Sequence, residues 1–322
     1  MSKYEYIDSQ RNGPANTNPV VKMCRWLAVS TSGLGPLRKS PIAFFCRADV
    51  MLSATANDHF VVDDFNSCLG LFVEGEDLPR KFHSFAALRN TVKEEDFQWG
   101  ARVSVGLDQL INDFELDSLA YYHRGLNGEQ HERLGAGMIL GASLLTARGI
   151  PTSGEYELRT TVAQLVTQVI GAGGSFCEIQ ALNFEDGVVE MGHDGPAHLA
   201  MSSQDPLLRG LGVYHGKRGW GVSVEFDVKH GPVTLLGLGQ DRDGSLCFVA
   251  SEGAVVAGPL LQIGNTTSRV DFGRDPGEWV DQWAATGVGH HWSLSIGHRR
   301  DDYRAAASLL GIPFRTVDEG TN

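Results

Sequence analysis

Near residue 175 the hydrophobic pattern of this chain changes period, and that change limits what the chain can fold into. Before it, Leu158, Val162, Leu165, Val166, Val169 and Ile170 recur at spacings of three and four. That is an amphipathic helix, ended by Gly171 and Gly173. After it, Val222, Val224, Phe226 and Val228 alternate with Ser223, Glu225 and Asp227, as a half-buried strand requires. One fold class does not supply both periods, so two kinds of architecture follow each other along the chain.

Upstream of the change, Glu94–Asp113 places Phe97, Ala101, Val105, Leu107, Leu110 and Ile111 at helical spacing. Leu116–Tyr122 is a short apolar run that reads as a buried strand, Gly128–Arg148 as a Gly-containing helix, and Gly149-Ile150-Pro151 as its stop. Alternating strand and helix over 93–174 predicts an α/β domain with a mostly parallel sheet. Downstream, Pro232–Gly239 and Ser245–Ala250 flank a hairpin signal at Asp243-Gly244. Further short runs (Val255, Leu260–Ile263, Arg269–Phe272) are each bounded by Gly, Pro or Asn. They predict an antiparallel sheet or small barrel over 175–322, closing with a helix at Arg299–Leu310 and a strand at Ile312–Val317. Residues 1–92 carry no periodic element longer than two turns and are expected to be partly irregular.

Composition narrows the function classes. Lys+Arg 27 against Asp+Glu 39 gives a net charge of −12. Nucleic acid and anionic membranes, which are bound through basic surfaces, are therefore not expected partners. The five cysteines, Cys24, Cys46, Cys68, Cys177 and Cys247, form no CxxC pair, which fits a reducing compartment. The N-terminal twenty residues lack the apolar region of a signal peptide. The longest apolar run, Leu134–Ile150, is broken by glycine, carries Arg148 and falls short of the ~18 residues of a membrane span. The cytoplasm is the expected location.

Candidate chemistry gathers at strand ends. Met191-Gly192-His193-Asp194-Gly195-Pro196 puts a histidine and an aspartate where a strand meets a Gly-Pro turn, and Gly289-His290-His291-Trp292 puts two histidines beside a Gly-rich loop. Neutral imidazole is the commonest metal ligand, although each of these is equally readable as a hydrogen-bonded loop histidine. Glu155 precedes the Leu158–Ile170 helix, where the helix dipole favours a carboxylate. Glu178 lies in the apolar strand SFCEIQALNF, either facing outward or needing a partner, because a lone buried charge is costly. Two carboxylates and two imidazoles without a thiolate suit Mn²⁺, Mg²⁺ or Co²⁺ better than a cysteine-based zinc site. Tryptophans in the C-terminal part, Trp292 among them, can stack on a sugar ring or pack in a core.

Taken as a set and in order, several segments resemble the L-fucose/L-arabinose isomerase-like family. They are GEYELRTTVAQLV (Gly154–Val166), GAGGSFCE (Gly171–Glu178), MGHDGPAH (Met191–His198), YHGKRGWGVSVEF (Tyr214–Phe226), HGPVTLLGL (His230–Leu238) and GHHWSLSIGH (Gly289–His298). The resemblance covers about two-thirds of the chain. It implies a Rossmann-like α/β domain followed by a β-barrel-containing domain, an aldose–ketose isomerase using Mn²⁺, and a homo-oligomer acting on a small sugar. Carried over by position, it implies that Glu155, Glu178, His193 and His291 bind the metal and that the two glutamates also move the proton. His290, Asp194 and Trp292 would then contact substrate. The family's usual extra N-terminal α/β domain has no counterpart in residues 1–92, and GEYE stands where a GEGD-type motif is usual, with Tyr156 at a common glycine. The other reading of the same residues is a carbohydrate-binding or regulatory relative without catalysis.

Overall fold

The structure is a computed structural model that describes residues 92–319, except 115, 122–128, 212, 215–216, 219, 242–243 and 262–265, together with the strand 42–44. The rest of the irregular stretch expected over 1–92 lies outside the described residues, as do His215 and part of the Leu260–Ile263 run. No helix among the described residues is long and apolar enough to cross a membrane.

The helices expected upstream are present as α1 (Glu94–Phe114), α2 (Glu129–Ala147) and α3 (Leu158–Val169). α1 and α2 pack through Val103, Leu107, Met138, Ala142 and Leu145. Their approach is close because α2 carries Gly141, where a Cβ would stand 2.8 Å from the Ser104 Cα. Parallel pairing in this half is confined to three short strands, β1 (Ile42–Phe44), β2 (Ser118–Ala120) and β3 (Thr152–Ser153), in the order β1-β2-β3. The buried run at 116–122 is thus a strand of three residues. Among the described residues there is no larger parallel sheet.

The period-two region closes into a six-stranded antiparallel barrel. Its strands are β4 (Ser175–Asn183), β5 (Val188–His193), β10 (Gly231–Gln240), β11 (Leu246–Val255), β12 (Thr266–Asp271) and β13 (His291–Ile296). Their order around the barrel is β10-β13-β4-β5-β12-β11, and β11 returns to β10 through ten residue pairs, from Gly231↔Val255 to Gln240↔Leu246. The remaining strands, β6 (Leu207–Gly210), β7 (Val213–Tyr214), β8 (Lys217–Arg218) and β9 (Val222–Glu225), form two small antiparallel pairs, β6 with β9 and β7 with β8. β14 (Phe314–Thr316) adds in parallel to β11.

Alternation along the barrel strands makes two cores. Val233, Leu235, Val249, Val270, Trp292 and Leu294 form one cluster. Leu236, Leu238, Phe248 and Ala250 face the other way, onto Val162 and Val166 of α3 and onto Tyr303 and Ala307 of α5 (Arg300–Leu310). α3 is tied to β13 by the Thr167 and Ser293 hydroxyls, 3.0 Å apart. The sequence pattern gives no sign of α4 (Pro276–Thr286), although its caps are well formed. Asp275 accepts from the Gly277 and Glu278 N–H groups, Pro276 begins the helix and Gly287 ends it in the left-handed region. Within so many glycines and prolines, these caps read as turns.

Candidate metal centre

Three neighbouring barrel strands and one turn build the site. Register sets His291 of β13 opposite Glu178 of β4, and Glu178 opposite Gly192 of β5. His291 and Glu178 therefore share one face of the sheet, while their neighbours Trp292 and Cys177 point into the apolar cluster on the other. His193 follows Gly192 at the end of β5. Phe176, two residues before Glu178, lies between the imidazoles, with its ring centroid 4.3 Å from His193 and 4.8 Å from His291. The imidazoles are 5.5 Å apart.

Glu155 arrives from the turn between β3 and α3. It does not begin the helix: Glu155 and Tyr156 both have left-handed backbones, at φ 57° and 56°, and α3 starts at Leu158. That region costs an L-residue about 1–2 kcal/mol. The turn is held by the Tyr156 N–H donating to the Tyr121 carbonyl and the Glu157 N–H donating to the Gly154 carbonyl, both at 3.0 Å. Two adjacent non-glycine residues in this conformation mark a place where the fold overrides local preference, and such places cluster at functional sites.

The four metal candidates meet. Glu155 Oε1 is 3.7 Å from His193 Nε2, Glu155 Oε2 is 3.7 Å from His291 Nε2, and Glu178 Oε2 is 3.7 Å from the same His291 nitrogen. The ligand atoms of Glu155, His193 and His291 lie within 4.8 Å of one another, as do those of Glu178, His290 and His291. Both imidazoles are buried, His193 at 2% and His291 at 5% exposure, whereas the Glu155 and Glu178 side chains are 32% and 26% exposed. The imidazoles thus form the floor of the site and the carboxylates its wall. His290, half-exposed, reaches Glu178 Oε2 at 3.5 Å from the rim, and Asp194 is on the rim with its Oδ1 3.6 Å from His193 Nδ1.

Trp292 is not brought to the site. It is fully buried in the apolar cluster, beside Trp279, and no sugar can stack on it there. Cys177 is likewise turned away, and burial pushes its thiol far above the usual range.

The electrostatics are those of a cation site. Burial raises the Glu155 carboxyl, and the nearby Glu178, Asp194 and Glu157 carboxylates raise it further. Burial lowers His291 to about 3, helped by His290 and Arg159, so its ring is neutral in ordinary buffers. Its Nδ1 faces Glu157 Oε2 at 3.9 Å, an acceptor that favours a proton on that nitrogen and leaves the Nε2 lone pair directed into the site. That buried Nε2 has no hydrogen-bond partner. A buried polar atom in that state, facing two carboxylate oxygens, is what a missing divalent ion would satisfy. Oxygen and imidazole donors without thiolate fit a hard or borderline cation. These glutamate and histidine groups can hold a metal ion.

Pattern reading misses two participants. Phe176 orients both imidazoles but reads in the sequence as one more apolar strand residue. Glu157 backs His291, and its only signal is its position two residues after Glu155 in GEYE. Compared with protein-family models and with the curated proteins, the chain matches none.

Proposed function

We propose that this protein is a metal-dependent aldose–ketose isomerase of the L-fucose/L-arabinose isomerase-like kind, taking Mn²⁺, or Mg²⁺ or Co²⁺, at the Glu155/Glu178/His291 centre. The observation that carries the reading is the partnerless, buried His291 Nε2, 3.7 Å from one oxygen of each glutamate. The motif resemblance adds the substrate class. On this reading the upstream half is Rossmann-like, the chain assembles as a homo-oligomer, and it acts on a small sugar in the cytoplasm.

When bound, the cation supplies Lewis-acid polarisation of the sugar carbonyl. The remaining work belongs to the chain. Glu155, whose affinity for a proton is raised by its surroundings, can accept a proton from the carbon beside the carbonyl and return it to the neighbouring carbon through an enediol. Glu178 stands across the site, where it can take the opposite role in acid–base exchange. His290 is held toward its protonated form by its hydrogen bond to Glu178, and its exposed ring can donate to sugar oxygens from the rim.

The test is a panel of aldoses incubated with the Mn²⁺-loaded protein, with the ketose detected directly. Conversion of at least one aldose is expected. Tight Mn²⁺ binding without conversion of any sugar would replace this reading with that of a carbohydrate-binding relative. Product from a phosphorylated or acidic sugar without aldose–ketose exchange would point to a hydrolase or lyase.

A further inference from the structure

The two buried imidazoles of the site are backed by opposite kinds of partner. Behind His291 the partner is an acceptor, the Glu157 carboxylate facing Nδ1. Behind His193 it is a donor: the Gly195 backbone N–H donates to His193 Nδ1 at 2.7 Å. A nitrogen that accepts a hydrogen bond cannot carry a proton, so the neutral His193 ring bears its proton on Nε2. The competing arrangement, Nδ1–H donating to Asp194 Oδ1, would act over 3.6 Å and bring two N–H groups face to face at 2.7 Å. The shorter contact decides the tautomer. His193 Nε2 then presents an N–H, not a lone pair, toward Glu155 Oε1 at 3.7 Å. The Glu155 side chain is about one-third exposed and free to turn, so a small torsion closes that distance to a hydrogen bond.

We propose that His193 is a positioning residue and not a metal ligand: its Nε2–H steers the Glu155 carboxylate, and Glu155, Glu178 and His291 bind the ion. The inference rests on the cation site proposed above and reassigns one of the positions that the motif resemblance counts as a ligand. The Gly195 position supports it, since a Cβ there would stand 2.7 Å from His193 Nδ1. Only glycine lets the backbone N–H come so close to the ring.

Two measurements test it. Long-range ¹H–¹⁵N spectra of the histidine rings in the metal-free, wild-type protein, with His193 assigned through its contacts to Phe176, report the tautomer directly. A proton on Nε2 is expected, and a proton on Nδ1 overturns the proposal. The second is Mn²⁺ affinity, read from the free-ion EPR signal. Loss of an outer hydrogen-bonding partner weakens metal binding about 10–100-fold, which is expected for His193→Ala, whereas His193→Gln keeps an N–H donor near the Nε2 position and should stay within about threefold of wild type. If a cooperatively melting His193→Gln loses as much affinity as His193→Ala, the residue is a ligand and the proposal fails. The spectra of the wild-type protein decide the tautomer even if neither variant folds. Absence of Mn²⁺ binding by the wild-type protein would instead overturn the metal-site reading, independently of the tautomer.

Discussion

Burial keeps the His291 imidazole neutral down to a pH of about 3, against an ordinary value of 6.5. Between those limits the unfolded chain binds a proton that the folded chain refuses, so stability falls as pH drops through this window and levels off below it. Glu155 acts with the opposite sign. Its folded carboxyl holds a proton above its ordinary value of 4.5, so its contribution is lost as pH rises past that point. We expect urea unfolding of the metal-free protein to show a positive slope of stability with pH between about 3 and 6.5, and His291→Gln to flatten it. An unchanged slope in that variant would assign the acid sensitivity elsewhere. At the same scale, Glu178→Gln should lower isomerase turnover by about 10²–10⁴-fold at saturating Mn²⁺ while circular dichroism stays unchanged. Near-normal turnover would remove Glu178 from proton transfer.

At the scale of elements, the site depends on how closely β5 and β12 approach behind Glu178. Gly192 is the cross-strand partner of Glu178, and a Cβ on it would stand 1.9 Å from the Thr266 carbonyl oxygen of β12. Backbone cannot move aside as a flexible side chain can. Gly192→Ala should therefore cost about 1–3 kcal/mol or more in urea unfolding, and should also weaken Mn²⁺ binding, because the β4–β5 register carries both Glu178 and His193. A variant as stable as wild type would show that the two strands can separate without loss. α3 contributes in a second way. It packs on β10 and β13 through Val162 and Val166 and is tied to Ser293 through Thr167, which fixes the preceding turn, and hence Glu155, above the strand ends.

For the whole molecule, a cation that binds the folded chain and not the unfolded one adds stability by mass action, about 2.7 kcal/mol at one hundred times its Kd. Excess Mn²⁺ should raise Tm by about 5–10 °C in a protein of this size, and a chelator should reverse the shift. A melting temperature indifferent to Mn²⁺, Mg²⁺ and Co²⁺ would argue against a cation in this centre. The shift should be largest near neutral pH, because the carboxylates must be ionised to take part.

Much of the architecture is local, and local information is what a single sequence carries. The spacing-of-three-and-four run of α3, the alternation of Val222–Val228 and the Gly-bounded strands each state their own period, so the helices and a small barrel could be read before any tertiary contact was known. The histidine and glutamate candidates were legible for the same reason, since they stand at strand ends next to turns. α4 escaped because its cap residues are also turn residues, and the parallel sheet reduced to three short strands because strand length depends on the neighbours a strand finds. What tertiary structure alone decided is which side chains face one another. Period two put Trp292 on the opposite face of β13 from His291, and so into a core instead of a binding site. Pairing register, which depends on contacts far apart in the chain, set His291 against Glu178 and brought Glu155 over both. The tautomer of His193 is settled by a backbone N–H two residues away, a contact of geometry that residue identity does not encode.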